Sequence, residues 1–137
     1  MIPRAGLGVL ILNKDKQILL GRRKGAHGEM SWGPPGGHIE FGESFEECAI
    51  REVLEETALK IENPKFLAVT NDFFESDAKH YISIFMTANY NETQIVQNCE
   101  PHKTEEWQWF SLNKLPDNLF LPLKQLVLGK CYGGNFL

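Results

Sequence analysis

The stretch Gly36-Gly37-His38-Ile39-Glu40-Phe41-Gly42-Glu43-Ser44-Phe45-Glu46-Glu47-Cys48-Ala49-Ile50-Arg51-Glu52-Val53-Leu54-Glu55-Glu56-Thr57-Ala58-Leu59 decides how the chain is read. A glycine loop runs into a helix, and seven glutamates crowd the whole. Ser44 followed by Glu47 is a capping box, which predicts Ser44 as N-cap of the helix. At about 100° per residue, Ala49, Ile50, Val53, Leu54 and Thr57 fill an apolar arc expected to face the core. Glu52 and Glu56 lie along one edge of that arc, with Glu55 beyond them. These three acids fall at i, i+3 and i+4 and repel one another by about 0.2–0.5 kcal/mol per pair on an exposed helix. A divalent cation with oxygen ligands would relieve that repulsion. A solvated acidic face is the plain alternative, but these acids come with Gly36-Gly37, Glu43 and Arg51 at fixed distances.

Upstream of the stretch, Leu7–Leu12 is an apolar run of strand length with the pattern of a strand buried on both faces. Asn13-Lys14-Asp15-Lys16 has turn composition, and Gln17–Lys24 returns as the second arm of a hairpin. That arm ends in Arg22-Arg23-Lys24, either a solvated strand end or a clamp for phosphate, whose oxygens suit arginine's planar fork. From Gly25 to Gly42 the glycines and the Pro34-Pro35 pair read as a loop that lets backbone approach a ligand closely. Trp32 reads as a packing anchor.

Downstream, Pro64–Phe74, His80–Tyr90 and Glu105–Leu112 are expected strands, separated by the turn Glu75–Lys79 and the polar loop Asn91–Thr104. Leu119–Lys130 is expected to be an amphipathic helix, with Gly129, Gly133 and Gly134 loosening the tail. Strands, helix, strands, helix describe a mixed α/β (α+β) domain over residues 1–137.

Composition narrows the partners. An apolar share of 42% and a charged share of 23% belong to a globular protein with a real core. Fourteen basic against eighteen acidic residues give a net charge of −4, which argues against a protein that coats a nucleic acid polymer. The apolar run at Leu7–Leu12 is too short to cross a bilayer. The three cysteines, Cys48, Cys99 and Cys131, form no disulfide or zinc pattern, and a reducing cytoplasm is the expected setting.

With these residues in view, the central stretch resembles the Nudix box, G-x5-E-x7-R-E-U-x-E-E-x-G-U, where U is a bulky aliphatic residue. Gly37 opens it, Glu43 follows, and then come Arg51-Glu52, Val53, Glu55-Glu56 and Leu59. Ala58 stands where the pattern has glycine, at a tight turn where alanine resists positive φ. Beyond the box the chain is similar to the branch containing the thiopurine-nucleotide (8-oxo-dGTP-type) diphosphatase. Leu20–Gly25, Gly36–Glu43, Glu46–Ala49, His80-Tyr81 and Trp107-Gln108-Trp109 carry that likeness, and the branch also has alanine at the Ala58 position. Pro34 and Leu121-Pro122 depart from it, which leaves the base preference open.

The resemblance implies a Nudix fold, a mixed sheet between helices, and hydrolysis of a nucleoside diphosphate linked to another moiety. It implies Mg²⁺ (with Mn²⁺ as substitute) on Glu52, Glu56 and the Gly37 carbonyl, with Glu55 as further ligand or water-orienting base. Arg51 is expected to pair with Glu43 and hold the loop to the helix. Arg23, Gly36, Gly37 and His38 are expected near the phosphates, with Phe120 and Leu123 against the base, although Leu123 is equally well a core residue. Glu100, Glu105 and Glu106 lie in or beside a loop where Nudix enzymes often place an extra metal ligand or base, and the sequence does not choose which of them, if any, takes that role. The implied substrate is a small nucleotide: a purine deoxynucleoside triphosphate or its oxidised form, cut to monophosphate and diphosphate. Sister activities on ADP-ribose or a nucleotide sugar, and a nucleotide-sensing module without catalysis, are the alternatives. The relative's homodimer carries over by likeness alone.

Overall fold

The computed structural model describes residues 2–25 and 28–134. Strands β1 (Arg4–Leu12) and β2 (Gln17–Arg23) form the expected hairpin. Asn13 Oδ1 closes its turn by accepting from the backbone N–H groups of Asp15 and Gln17, the local bonding that makes asparagine a turn residue. Strands β5 (Lys65–Phe74), β6 (Lys79–Asn89) and β7 (Thr104–Ser111) also lie where their patterns predict, and a 3₁₀ turn, Glu75–Asp77, joins β5 to β6. Two short strands, β3 (Trp32–Gly33) and β4 (Gly36–His38), occupy the stretch read as loop, and a third, β8 (Tyr132–Gly133), occupies the tail. Elements of two or three residues are too short for an alternation to show.

The sheet is mixed. β1 and β6 run parallel, while the other strand pairings are antiparallel. The long order is β3-β2-β1-β6-β5-β8, with β4 on β1 and β7 on β2. β1 pairs with β2 at Leu12–Ile18, whereas its earlier residues Gly6, Leu7 and Gly8 pair with β4. The strands therefore part at one end of the hairpin, and β4 fills the opening. Helix α1 (Phe45–Thr57) packs on one face and α2 (Leu121–Val127) on the other. β1 shows why both faces need cover: Leu7, Val9 and Ile11 join the cluster under α1, and Leu10 joins the one under α2. This is the mixed sheet between helices that the family resemblance implies.

The capping box forms as read: Glu47 N–H donates to Ser44 Oγ at 3.0 Å, and Ser44 N–H donates to Glu47 Oε1 at 2.8 Å. The buried arc of α1, however, is shifted. Cys48, Ala49, Val53 and Thr57 are buried, while Ile50 and Leu54 remain 39% and 42% exposed. The row Cys48-Glu52-Glu56 has replaced Ile50 and Leu54 against the protein, because the acids turn inward toward β4. At the helix end Ala58 adopts φ 64°, so alanine does make the left-handed turn, and its N–H caps Leu54 O. Helix α2 begins two residues later than predicted. Residues 118–120 instead pair with Trp32: Trp32 N–H donates to Asn118 O and Phe120 N–H to Trp32 O, each at 2.8 Å. Pro122 then sits in the first turn, where its missing N–H costs nothing.

Candidate active site

The opening between β1 and β2 becomes a groove of about 660 Å³ floored by Gly36, Gly37, Glu52 and Glu56 and rimmed by Arg4, Arg23, Lys24, Lys79 and Lys103. Arg51 organises its acidic wall. Its Nε and Nη2 hold Glu43 bidentately, at 2.6 and 3.0 Å, and Nη1 reaches Glu52 at 2.7 Å and Glu55 at 3.1 Å. Nη2 also donates to the His38 carbonyl at 3.1 Å, tying β4 to the helix. The Arg51 guanidinium, helped by the Glu40 N–H, lowers the Glu43 carboxyl to about 2, and in return Glu43 and Glu52 raise the arginine's own pKa. Glu43 thus stays ionised and serves to hold the loop in place, as a charge-assisted fork does well.

Glu56 is left in a different position. It lies half-buried beneath β4, with Gly36 N–H donating to its Oε1 at 3.3 Å. Burial first, then the neighbouring Glu52, pushes its pKa far above the carboxylate range, and the charge of Glu100 adds to the push. Arg51 meets Glu52 but not Glu56, so the negative charge of this pair is only partly balanced. Glycine is required at both loop positions above it. A Cβ at Gly36 would collide with the Leu7 backbone, and one at Gly37 would sit 2.5 Å from Glu52 Cδ.

The donors fit a hard divalent cation: two adjacent carboxylates, one of them pushed toward keeping its proton, beneath a loop whose backbone comes close because it has no side chain. Glu55 is not brought to them. Its side chain is 51% exposed and held by Arg51. Among the described residues no three His, Cys, Asp or Glu side chains converge as a ready-made ligand set. Glu52 and Glu56 would hold the ion, and Glu55 can join only by releasing Arg51. The Cys48 thiol beneath the helix is pushed up to about 12, chiefly by burial, which removes it as a nucleophile.

One end of the groove opens into a smaller cavity of about 120 Å³, lined by Gly6, Gly8, Pro34, Phe74, Tyr81, Ser83, Phe85, Phe120 and Pro122. Arg23, Gly36, Gly37 and His38 line both spaces. The Arg23 guanidinium stands 3.9 Å over the centre of the Phe120 ring. Burial lowers its pKa, while Glu56 and Tyr81 favour its charge. His38 Nε2 and Tyr81 Oη are 3.0 Å apart. Strand alternation separates Arg22 from Arg23: Arg22 points to the other face, onto Glu106 at 3.1 Å and the Trp32 ring, while Arg23 lines the groove, as does Lys24 just past the end of β2.

The structure also sorts the remaining candidates. Phe120 lines the cavity, but Leu123 is fully buried in the core with Leu10 and Leu126, because the late start of α2 turns Pro122 to the cavity instead. Of the three loop acids, only Glu100 acts on Glu56. Glu106 is engaged by Arg22 and Gln108, and Glu105 is exposed. The loop carrying Glu100 is docked on the helix end: Gln97 and Cys99 N–H donate to the Thr57 and Glu56 carbonyls at 3.0 and 3.1 Å. Sequence reasoning missed Phe74 and Tyr81 as cavity walls, and also Gly6 and Gly8. The last two had a signal, since glycine at alternate positions of an apolar strand leaves a gap on one face.

Comparison with known proteins decides the family: a NUDIX domain model matches residues 2–128. The chain belongs to the Nudix family. It is similar to an RNA pyrophosphohydrolase of Shewanella piezotolerans, 40% identical over 90% of this chain and 75% of the relative. It is also similar to the oxidized purine nucleoside triphosphate hydrolase of Danio rerio, 31% identical over 85% of this chain and 77% of the relative. Among solved structures, the MutT NUDIX hydrolase from Burkholderia pseudomallei superposes with a TM-score of 0.84 at 29% identity, covering 95% of this chain and 98% of that one. The chain is thus a Nudix hydrolase of the pyrophosphatase kind, in a family that generally uses divalent metal ions and acts on small nucleotides. No helix among the described residues is long and apolar enough to cross a membrane.

Proposed function

We propose that this Nudix hydrolase cleaves purine deoxynucleoside triphosphates, oxidised forms included, to monophosphate and diphosphate in the presence of Mg²⁺. The observation that carries this reading is the join between the aromatic cavity and the charged groove through Arg23. At about 120 Å³ the cavity is below the ~300–1,000 Å³ of a site for a whole ligand. It suits one flat ring system, with the polyphosphate lying in the larger groove beside it. Aromatic walls from Phe74, Tyr81 and Phe120 favour such a ring.

In this reading Arg23 spans both halves: its guanidinium lies on Phe120 and its N–H groups meet phosphate oxygens. Lys24, Lys79 and Lys103 add positive charge along the rim. Glu52 and Glu56 would hold the cation together with the Gly37 carbonyl. The ion, when bound, neutralises phosphate oxygens and lowers the pKa of water. Glu100, beside Glu56, accepts the proton of the attacking water, and Arg51 with Glu43 keeps loop and helix aligned. Most of the rate enhancement then comes from positioning and electrostatics.

The RNA pyrophosphohydrolase relatives support a second reading, the 5′ triphosphate of an RNA. The cationic rim would accept such an end, and the net charge of −4 argues only against coating a polymer along its length. A turnover panel with Mg²⁺ tests the proposal: dGTP, 8-oxo-dGTP, dATP, ADP-ribose, a nucleotide sugar and an RNA bearing a 5′ triphosphate. Diphosphate released fastest from the purine deoxynucleotides is the expected result. Exclusive release of AMP from ADP-ribose, or of diphosphate from RNA, would overturn it.

A further inference from the structure

Behind the cavity lies a polar group that the proposed reaction does not use. Asp72 on β5 is fully buried in the sheet. Its neighbours on the same face are set by register: Thr70 lies opposite Ser83, and Asp72 opposite Tyr81. Across β6, Ser83 faces Gly6 of β1. Ser83 and Gly6 both line the cavity, so the serine stands between the cavity and the polar pair Thr70 and Asp72 on β5. Thr70 Oγ1 donates to Asp72 Oδ2 at 2.8 Å. Burial pushes the Asp72 carboxyl up, while the hydroxyls of Ser83 and Thr70 and the nearby His80 favour its ionised form. Among the described residues Asp72 Oδ1 makes no close hydrogen bond of its own. A buried carboxylate oxygen in that condition draws strongly on the nearest unspent donor. The Thr70 hydrogen is already spent, which leaves the Ser83 hydroxyl.

A serine hydroxyl has one hydrogen and two lone pairs. If its hydrogen is directed back to Asp72, the lone pairs face the cavity, and the inner wall of an otherwise apolar box becomes an acceptor. The other polar side chains of the lining, Arg23, His38 and Tyr81, also line the groove. Among the described residues, Ser83 is therefore the polar side chain that lines the cavity without also lining the groove, and a bound ring would meet it at the inner edge.

We propose that Asp72 sets base preference by orienting the Ser83 hydroxyl, so that the cavity selects bases presenting an N–H donor, such as an exocyclic amino group, to its inner wall. This rests on the reading of the cavity as the base site. Asp72 acts here as a positioning residue and Ser83 as the group that contacts the base. An aspartate that only filled space in the sheet would alter stability without altering the choice between bases.

The test compares nucleotides that differ by one amino group: dGTP with dITP, and dATP with the purine deoxyriboside triphosphate lacking the 6-amino group. A site built around one hydrogen bond discriminates against the analogue lacking its partner. A bond between neutral groups supports about a five- to tenfold preference in kcat/KM, expected in at least one pair for the wild type. Asp72→Asn can donate its amide hydrogen to Ser83, so the serine hydrogen turns into the cavity and the preference should vanish or reverse. Ser83→Ala should abolish it, and Asp72→Asn on top of Ser83→Ala should change it no further. Should Asp72→Asn fail to fold, as judged by circular dichroism, Ser83→Ala decides alone. Turnover without any amino-group preference in the wild type, or wild-type ratios in either variant, overturns the inference. If the wild type hydrolyses none of these triphosphates, the proposed function falls and takes this inference with it.

Discussion

Glu56→Gln separates the electrostatic state of the site from its catalytic output. Without metal, burial and Glu52 keep a proton on this pair far above the normal carboxylate range. In the unfolded chain a glutamate titrates near ~4.3. The folded protein then binds more protons than the unfolded one above that pH, so stability is fully present below the unfolded pKa and falls as pH rises through the window above it. Holding the proton to pH 7 spans about 2.7 pH units at about 1.36 kcal/mol each, or roughly 3–4 kcal/mol. Glutamine keeps the size and the acceptor for Gly36 but has nothing to titrate. In EDTA the variant should exceed the wild type by roughly 3–4 kcal/mol at pH 7 and match it near pH 4.5, in urea denaturation followed by tryptophan fluorescence. Mg²⁺ at 100 times its Kd should then stabilise the wild type by about 2.7 kcal/mol, with little effect on the variant. Turnover by the variant should be nearly lost. Superimposable pH dependences for the two proteins would refute the account of Glu56.

Three further outcomes follow from the geometry. Gly37→Ala places a methyl against the Glu52 carboxylate and should lower turnover by about 10–100-fold with a folded protein, read from kcat beside a thermal melt. Glu100→Gln should lower kcat by about 100-fold, the lower range for a general base, whereas Glu106→Gln should stay within about twofold of wild type. Ala58→Gly relieves a φ of 64° at the end of α1 and should add about 0.5–1 kcal/mol, seen as a rise of a few degrees in Tm.

The parts of this fold that were legible in the sequence are those with a repeating signal. The strand Leu7–Leu12, the hairpin turn at Asn13 and the capping box at Ser44 each follow from chemistry within a few residues. The spacing of the box acids and Arg51 was legible through the family resemblance, and the structure brings Arg51 onto Glu43, Glu52 and Glu55. What failed was whatever depends on partners distant in sequence. Ile50 and Leu54 have the periodicity of a core face, yet they are exposed because the helix turns Glu52 and Glu56 toward a loop that lies far away in any local reading. Leu119 and Phe120 look helical, but the backbone of Trp32 claims them. Leu123 consequently faces the core, and the cavity takes Pro122. Asp72, buried in a strand, carries no local mark of its neighbours Thr70 and Ser83.

Arg51 explains why the site needs a cation at one place and not another. A single guanidinium contacts Glu43, Glu52, Glu55 and the more exposed Glu40, the last at 3.3 Å. Arg51 does not reach Glu56, one turn beyond Glu52, whose hydrogen bond from the backbone is the Gly36 N–H and whose neighbouring cation is Arg23. Positive charge from outside is therefore most effective between Glu52 and Glu56. Glu55 faces a choice between Arg51 and such an ion, because its carboxylate cannot serve both without stretching the i, i+4 contact. Arg51→Ala should release Glu55 and Glu52 together, so it would increase the negative charge available to a metal while freeing Glu43 and the loop. Metal affinity and turnover are then expected to separate in that variant: Mg²⁺ binding by calorimetry retained or tightened, kcat reduced because Gly36-Gly37 is no longer held against the helix. Loss of both in parallel would mean that Arg51 shapes the metal site directly and does not merely anchor the loop.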